Sequence, residues 1–269
     1  MRRSVRLVCA VLLPAALLAH DTWLVPKTFR TQPGKTVRVR LATSEAFPTS
    51  DSAVDPERVA QFLVREAAGT QPVTGFRIEE KFLVVEVTPT RPGHTIVVAE
   101  TKPRAFTLEP KVFNDYLRGE ELKAIMDARA QAGERDTPGR ERYRKIAKAV
   151  LCVGEAKDSA FRKAEGVWLE IIPLNSPCRL DVTSRLEVQV LHHGKPLAGV
   201  RVGAGYEGVT GHGYPIWTRT DEKGRAVVIF DRPGAWFVRT LHMVRAKDDP
   251  EADWHSAFST LTFEVLPKR

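Results

Sequence analysis

The sequence predicts a mainly β protein made of antiparallel β-sandwich domains, with two β-units joined by a short helical segment. Three observations carry that reading. Short alternating runs rich in Val, Phe and Thr recur up to about Pro110, punctuated by Pro-Gly and Gly-Lys turns. Between Lys111 and Val150 the β-branched residues thin out and apolar residues recur near helical spacing. From Gly166 onward the alternation returns and persists to the last strand.

The first residues read as a secretory leader. Arg2, Arg3 and Arg6 precede an uncharged apolar run from Leu7 to Leu18, and Ala19 ends it before the polar His20 and Asp21. The run falls short of the roughly 20 residues that cross a bilayer, so residues 1–19 are expected to be removed. The mature chain then begins at His20, has no membrane span, and is expected to be periplasmic or secreted. Cys9 lies inside the apolar run after the bulky Val8, which argues against lipidation.

The amino-terminal β-unit, residues 20–110, takes its strands from Thr36 to Leu41, Val59 to Arg65, Phe82 to Val87 and Thr95 to Ala99. Turns are expected at Pro33-Gly34-Lys35 and Pro92-Gly93, where His94 reads as a turn residue. Residues 111–165 form a helical connector. Tyr116, Leu117, Leu122, Ile125, Met126 and Ala130 predict a helix over Asn114 to Ala132, and after the charged segment Gly133 to Arg144 a second short helix is expected around Arg142 to Ala149. In the carboxy-terminal unit, residues 166–269, Val167 to Ile172 is nearly all apolar and Leu186, Val188 and Val190 share one face. Ala226 to Phe230 precedes a turn at Asp231 to Gly234, and Leu261, Phe263 and Val265 form the last strand.

With 43% hydrophobic and 28% charged residues over 269 positions, the chain can bury a substantial core. Its net charge is +8; without the three leader arginines, 38 basic residues face 33 acidic ones, about +5. No basic run is interleaved with aromatic residues, so a nucleic-acid partner is not expected. Outside the leader only Cys152 and Cys178 remain. They read as a disulfide in an oxidising compartment, because neither C-x-x-C spacing nor histidines in register suggest a thiolate metal site. The sequence has no G-x-S-x-G or H-E-x-x-H, and no cysteine and histidine placed for nucleophilic catalysis, so no hydrolase and no enzyme is expected.

Six segments together carry a family resemblance: Ala19-His20-Asp21-Thr22-Trp23-Leu24, Trp168-Leu169-Glu170-Ile171-Ile172-Pro173, Gly194-Lys195-Pro196-Leu197-Ala198-Gly199-Val200, Thr220-Asp221-Glu222-Lys223-Gly224, Gly234-Ala235-Trp236 and Leu261-Thr262-Phe263-Glu264-Val265. In this order they resemble the periplasmic NikM-like family of unknown function, described as a nickel-uptake component. The resemblance covers essentially the whole mature chain. It implies a carboxy-terminal sandwich of transthyretin-like or immunoglobulin-like form and a link to transition-metal handling. By themselves the Gly194-Lys195-Pro196 and Asp221 to Gly224 pieces are turns that reverse the chain.

A mature chain starting at His20 would place an α-amine beside an imidazole. With reference pKa values of about 7.7 to 8.0 and 6.5, both can shed a proton near neutrality and bind one cation. A second imidazole would complete a nitrogen-rich set suited to Cu(II) or Ni(II). His242, near the end of the strand Ala235 to Met243, and His255, after Asp253 and Trp254, are the candidates; Asp21 could add a carboxylate. Thr22 occupies the third position, which removes the planar amino-terminal site that needs histidine there. His192 and His193 would point to opposite faces if extended, and so could not share an ion. His212 shares a loop with Tyr206, Tyr214 and Trp217.

Three functions follow as expectations. The first is a non-enzymatic metal-binding or metal-delivery protein whose partners are a metal ion and a membrane transporter or other periplasmic protein. A sandwich module that binds a protein or glycan is the second, and a copper-dependent oxidative enzyme the third.

Overall fold

A computed structural model describes residues 20–211 and 213–268; the leader expected at 1–19, with its expected cleavage point, and His212 lie outside them. The amino-terminal half contributes β1 (Asp21–Pro26), β2 (Arg30–Thr31), β3 (Val37–Ser44), β4 (Val59–Glu66), β5 (Gly69–Pro72), β6 (Arg77–Glu79), β7 (Phe82–Val87), β8 (Gly93–Thr101) and β9 (Arg104–Leu108). Two helices follow, α1 (Pro110–Gly119) and α2 (Lys123–Gln131), and then the long strand β10 (Gly139–Val153). The remainder is β11 (Leu169–Pro173), β12 (Arg185–His192), β13 (Lys195–Pro196), β14 (Arg201–Tyr206), β15 (Ile216–Arg219), β16 (Arg225–Ile229), β17 (Gly234–Arg245) and β18 (Trp254–Val265). The protein is mainly β.

These strands form three sheets. A central ten-stranded sheet runs β15-β14-β17-β18-β10-β8-β4-β5, with β2 and β9 also on β10. A four-stranded sheet β1-β3-β7-β6 covers one face, and β11, β12, β13 and β16 form the third sheet, over the other. Alternation explains the two cores. Along β8 and β10, Val97, Ala99, Ala147, Ala149 and Leu151 face Leu24, Val39, Leu41, Leu83 and Val85, whereas Ile96, Val98, Ile146 and Val150 face Leu169, Ile171, Leu186, Val188 and Val190.

The central sheet is mixed: β10 pairs antiparallel with β8 but parallel with β18, from Glu141↔Trp254 to Ala149↔Thr262. Residues 142–149 are therefore extended, where a short helix was expected. The reason lies in burial on both faces, which removes the wet side that would make a strand readable as alternation. Its charges are partnered inside: Lys148 Nζ donates to Glu170 Oε1 at 2.8 Å, and Lys145 Nζ donates to the His20 carbonyl at 2.5 Å.

The single helix expected over Asn114 to Ala132 is two helices broken at Glu120 to Leu122. Glu121 takes φ 55°, and Glu120 turns inward to meet the buried Arg239. Phe113, Leu117 and Ile125 pack on Met243 and Trp254 of the central sheet. The segment Asp21–Pro26, read only as an export junction in the sequence, is a fully buried strand. Cys152 and Cys178 form the expected disulfide, with Cα atoms 5.6 Å apart.

Candidate functional site

The start of β1 is held by groups from several elements. Asp21 pairs with Arg239 at 3.2 Å and accepts a hydrogen bond from Tyr214, while Arg239 also meets Glu120 at 2.6 Å. Trp23 packs edge-on against Phe47 at 5.5 Å and against Phe237 at 5.6 Å. Thr260 and Thr262 of β18 donate to the carbonyls of Thr22 and Leu24, both at 2.6 Å. This clamp fixes His20, which is 7% exposed. Its Nδ1 lies 3.4 Å from Asp51 Oδ2 and its Nε2 3.7 Å from Glu45 Oε1, yet Nδ1 makes no hydrogen bond. Burial and then the Lys145 cation hold the imidazole pKa below its ordinary value, against the opposing pull of Asp51, Glu45 and Asp21, which leaves the ring neutral near pH 7.

The structure does not bring His242 or His255 to His20. On β17 the side chains of Phe237, Arg239, Leu241 and Met243 face β1 and the helices, so His242 emerges on the opposite face. On β18, Phe258, Thr260 and Thr262 face the same way as β1, and His255 alternates out of that set to meet Asp249 Oδ2 at 2.8 Å. Asp21 is committed to Arg239 and Tyr214. A one-residue offset in each strand thus separates the expected partners by a whole sheet.

His242 instead joins a cluster that the sequence hid. Its ring centroid is 4.7 Å from that of His192, which lies 4.6 Å from His193 and 4.3 Å from Trp168. His193 takes φ 48°, so it is not extended and its ring swings beside His192 rather than to the other face. Burial, reinforced by His192, pushes the His242 pKa down to about 4. Among the described residues no group of three or more His, Cys, Asp or Glu side chains is arranged to hold a metal ion.

A third cluster lines a cleft of about 640 Å³. His94, 1% exposed, is a strand residue of β8 rather than a turn residue. Its Nδ1 lies 3.3 Å from Asp158 Oδ1 and its Nε2 2.6 Å from Ser176 Oγ. Asp158 also accepts the backbone N–H groups of His94 and Ala160, both at 2.8 Å. Burial opposes ionisation of this carboxyl, but those two bonds and His94 outweigh it and lower its pKa. Gly93, at φ 148°, lets the carboxylate approach: a Cβ there would collide with Asp158 Oδ2. The disulfide fixes the third member, because Cys152 sits directly opposite His94 in the β8–β10 register and its bonded partner Cys178 is two residues beyond Ser176.

Layered sheets around the buried strand β1 define the class of this protein as a mainly β sandwich with a disulfide-tied central sheet. By sequence, the chain belongs to the family Domain of unknown function (DUF4198), whose model matches residues 17–244. That description names no nickel-uptake component. No curated protein matches the chain. Solved structures similar to it include the D0-D1 domain of Intimin, at 12% identity and TM-score 0.23 over 90% of this chain and 97% of that one. Fibronectin(III)-like modules of Clostridium thermocellum CbhA are similar at 8% identity and TM-score 0.22, over 91% and 94% of the two chains. The Yersinia pseudotuberculosis adhesin InvE is similar at 12% identity and TM-score 0.24, over 90% and 58%. At such TM-scores none of them bears on what this chain binds.

Proposed function

We propose that the protein is exported, starts at His20 once its leader is removed, and binds a transition-metal cation at that amino terminus for storage or hand-over to a membrane transporter or another periplasmic protein. One observation carries the reading: His20 is 7% exposed, yet its Nδ1 has no hydrogen bond and faces the Asp51 carboxylate at 3.4 Å. An unpaired buried polar atom costs about 1–3 kcal/mol, and this one is placed to close a chelate with the α-amine of a trimmed chain. Asp51 takes the place that a second histidine was expected to fill.

The separation fits a shared ion. Metal–ligand bonds of about 2.0–2.2 Å at the right angles that Cu(II) and Ni(II) favour put neighbouring donors about 2.8–3.1 Å apart, so a shift of a few tenths of an ångström by the half-exposed Asp51 closes the 3.4 Å separation. Two nitrogens with a carboxylate suit Cu(II) or Ni(II) better than Ca(II) or Mg(II); the NikM-like resemblance is why nickel stands beside copper. Asp51 and Glu45 are half exposed, so the site is open to solvent on one side. The disulfide supports an oxidising compartment.

Calorimetric titration with Cu(II) and Ni(II) tests the reading on the chain beginning at His20, on the same chain with one alanine added before His20, and on Asp51→Ala. Each change should weaken binding by roughly tenfold or more, which corresponds to about 1.4 kcal/mol per decade. Unchanged affinity in both variants would overturn the chelate.

A further inference from the structure

We infer that Ser176, His94 and Asp158 form a nucleophile, base and orienting carboxylate for hydrolysis of an ester whose acyl group carries a negative charge. The inference is independent of the His20 site and rests on geometry. With Nδ1 facing a carboxylate, His94 carries its proton on that nitrogen, so Nε2 is the acceptor that the Ser176 hydroxyl donates to at 2.6 Å. This is the order of contacts that activates a serine, and it is recognised by geometry and not by position in the chain. The three residues come from separate segments, 64 and 82 residues from His94 along the chain, which is why no short motif marks them.

The surroundings match the chemistry. Ser176 is half buried and lines the cleft, whereas His94 is 1% exposed and packs on Phe161 at 4.6 Å, so the base is shielded while the nucleophile is reachable. Burial lowers the His94 pKa, Asp158 opposes that shift and Arg179 adds to it, which leaves the ring neutral and able to take a proton near pH 7. Lys157, Arg162, Arg179 and Arg185 line the same cleft, against Asp158 as the carboxylate among its lining residues. Such a lining favours an anionic acyl group and the oxyanion that develops during its transfer.

In the reaction, Ser176 Oγ bonds to the ester carbonyl carbon as its proton passes to His94 Nε2. The bond to the leaving alkoxide oxygen breaks, and Nε2 returns the proton to that oxygen, releasing an alcohol and leaving an acyl-serine. A water molecule then loses its proton to Nε2 and adds to the acyl carbon. Collapse restores the Ser176 hydroxyl and releases the acid.

The test uses the chain beginning at His20 with its disulfide intact. A fluorophosphonate should add once per chain, at Ser176 by peptide mass spectrometry, and p-nitrophenyl hemisuccinate should be hydrolysed faster than the neutral p-nitrophenyl butyrate. Ser176→Ala should lower the hemisuccinate rate by about 100-fold or more. Asp158→Asn, which removes the carboxylate charge at His94 Nδ1 and leaves Ser176 in place, should slow labelling in protein that circular dichroism shows to be folded. The rate should rise with pH through the His94 titration, which burial lowers first, Asp158 opposes and Arg179 lowers further, with Lys157, Arg162 and Arg185 lining the same cleft. No adduct at Ser176 in the folded protein, or hydrolysis unchanged in Ser176→Ala, overturns the inference; equal rates on the two esters overturn the anionic acyl group.

Discussion

Lys145 and Lys148 leave the same strand three residues apart, on opposite faces of the central sheet, and each is buried. Lys148 meets a carboxylate, Glu170, which also accepts the backbone N–H groups of Glu165 and Gly166. Lys145 meets a carbonyl, that of His20, and burial pushes its pKa down to about 8. One face is thus closed by a matched pair under an aliphatic core, while the other holds a cation against the backbone just ahead of β1. The difference teaches that the second face holds the segment ahead of β1 in place with a lysine whose burial the Asp21 charge only partly offsets.

The comparison can be broken most severely at Glu170. Glu170→Ala leaves Lys148 buried without its partner and should cost about 3–5 kcal/mol in urea unfolding. A loss below about 1 kcal/mol would mean that the pair does not hold this face. Removing the disulfide with Cys152→Ala and Cys178→Ala opens a link across 26 residues and should cost about 3 kcal/mol by the same measurement.

Lys145 supplies the sharper contrast through pH. Its folded pKa of about 8 is below the ordinary 10.5, so between those values the unfolded chain binds more protons and stability rises with pH. Unfolding free energy should increase on the order of 2 kcal/mol from pH 8 to pH 10, and Lys145→Met should remove that increase. A wild-type profile flat over this window would place the cation in a far wetter setting. The smallest effect belongs to the outer surface: Ile229, 61% exposed on β16, should tolerate Ile229→Thr within about 0.5 kcal/mol.

Elements with one dry and one wet face were legible in the sequence. Leu186, Val188 and Val190 are all inward on β12, and Phe82 to Val87 is β7 as expected. Elements whose charged side chains find their partners inside the fold were not. β10 carries Arg140, Arg142, Arg144, Lys145 and Lys148 and read as helix and loop, because the partners of its buried lysines, Glu170 and the His20 carbonyl, come from other strands. The sites divide the same way. His20 stood out at the leader junction, but Asp51 is 31 positions away and nothing in a linear pattern ties it to an imidazole. His94 was legible only as the residue after Pro92-Gly93, a signal that points to a turn and says nothing of Asp158 or Ser176.

Strand β18 follows every other described strand along the chain yet lies in the middle of the central sheet, between β17 and β10, not at its margin. Until residues 254–265 are available, the halves on either side of it have nothing to zip against and each exposes a long open edge. Removing residues 254–265 would therefore open the central sheet along its middle, leaving unpaired edges on β17 and β10, instead of trimming its rim.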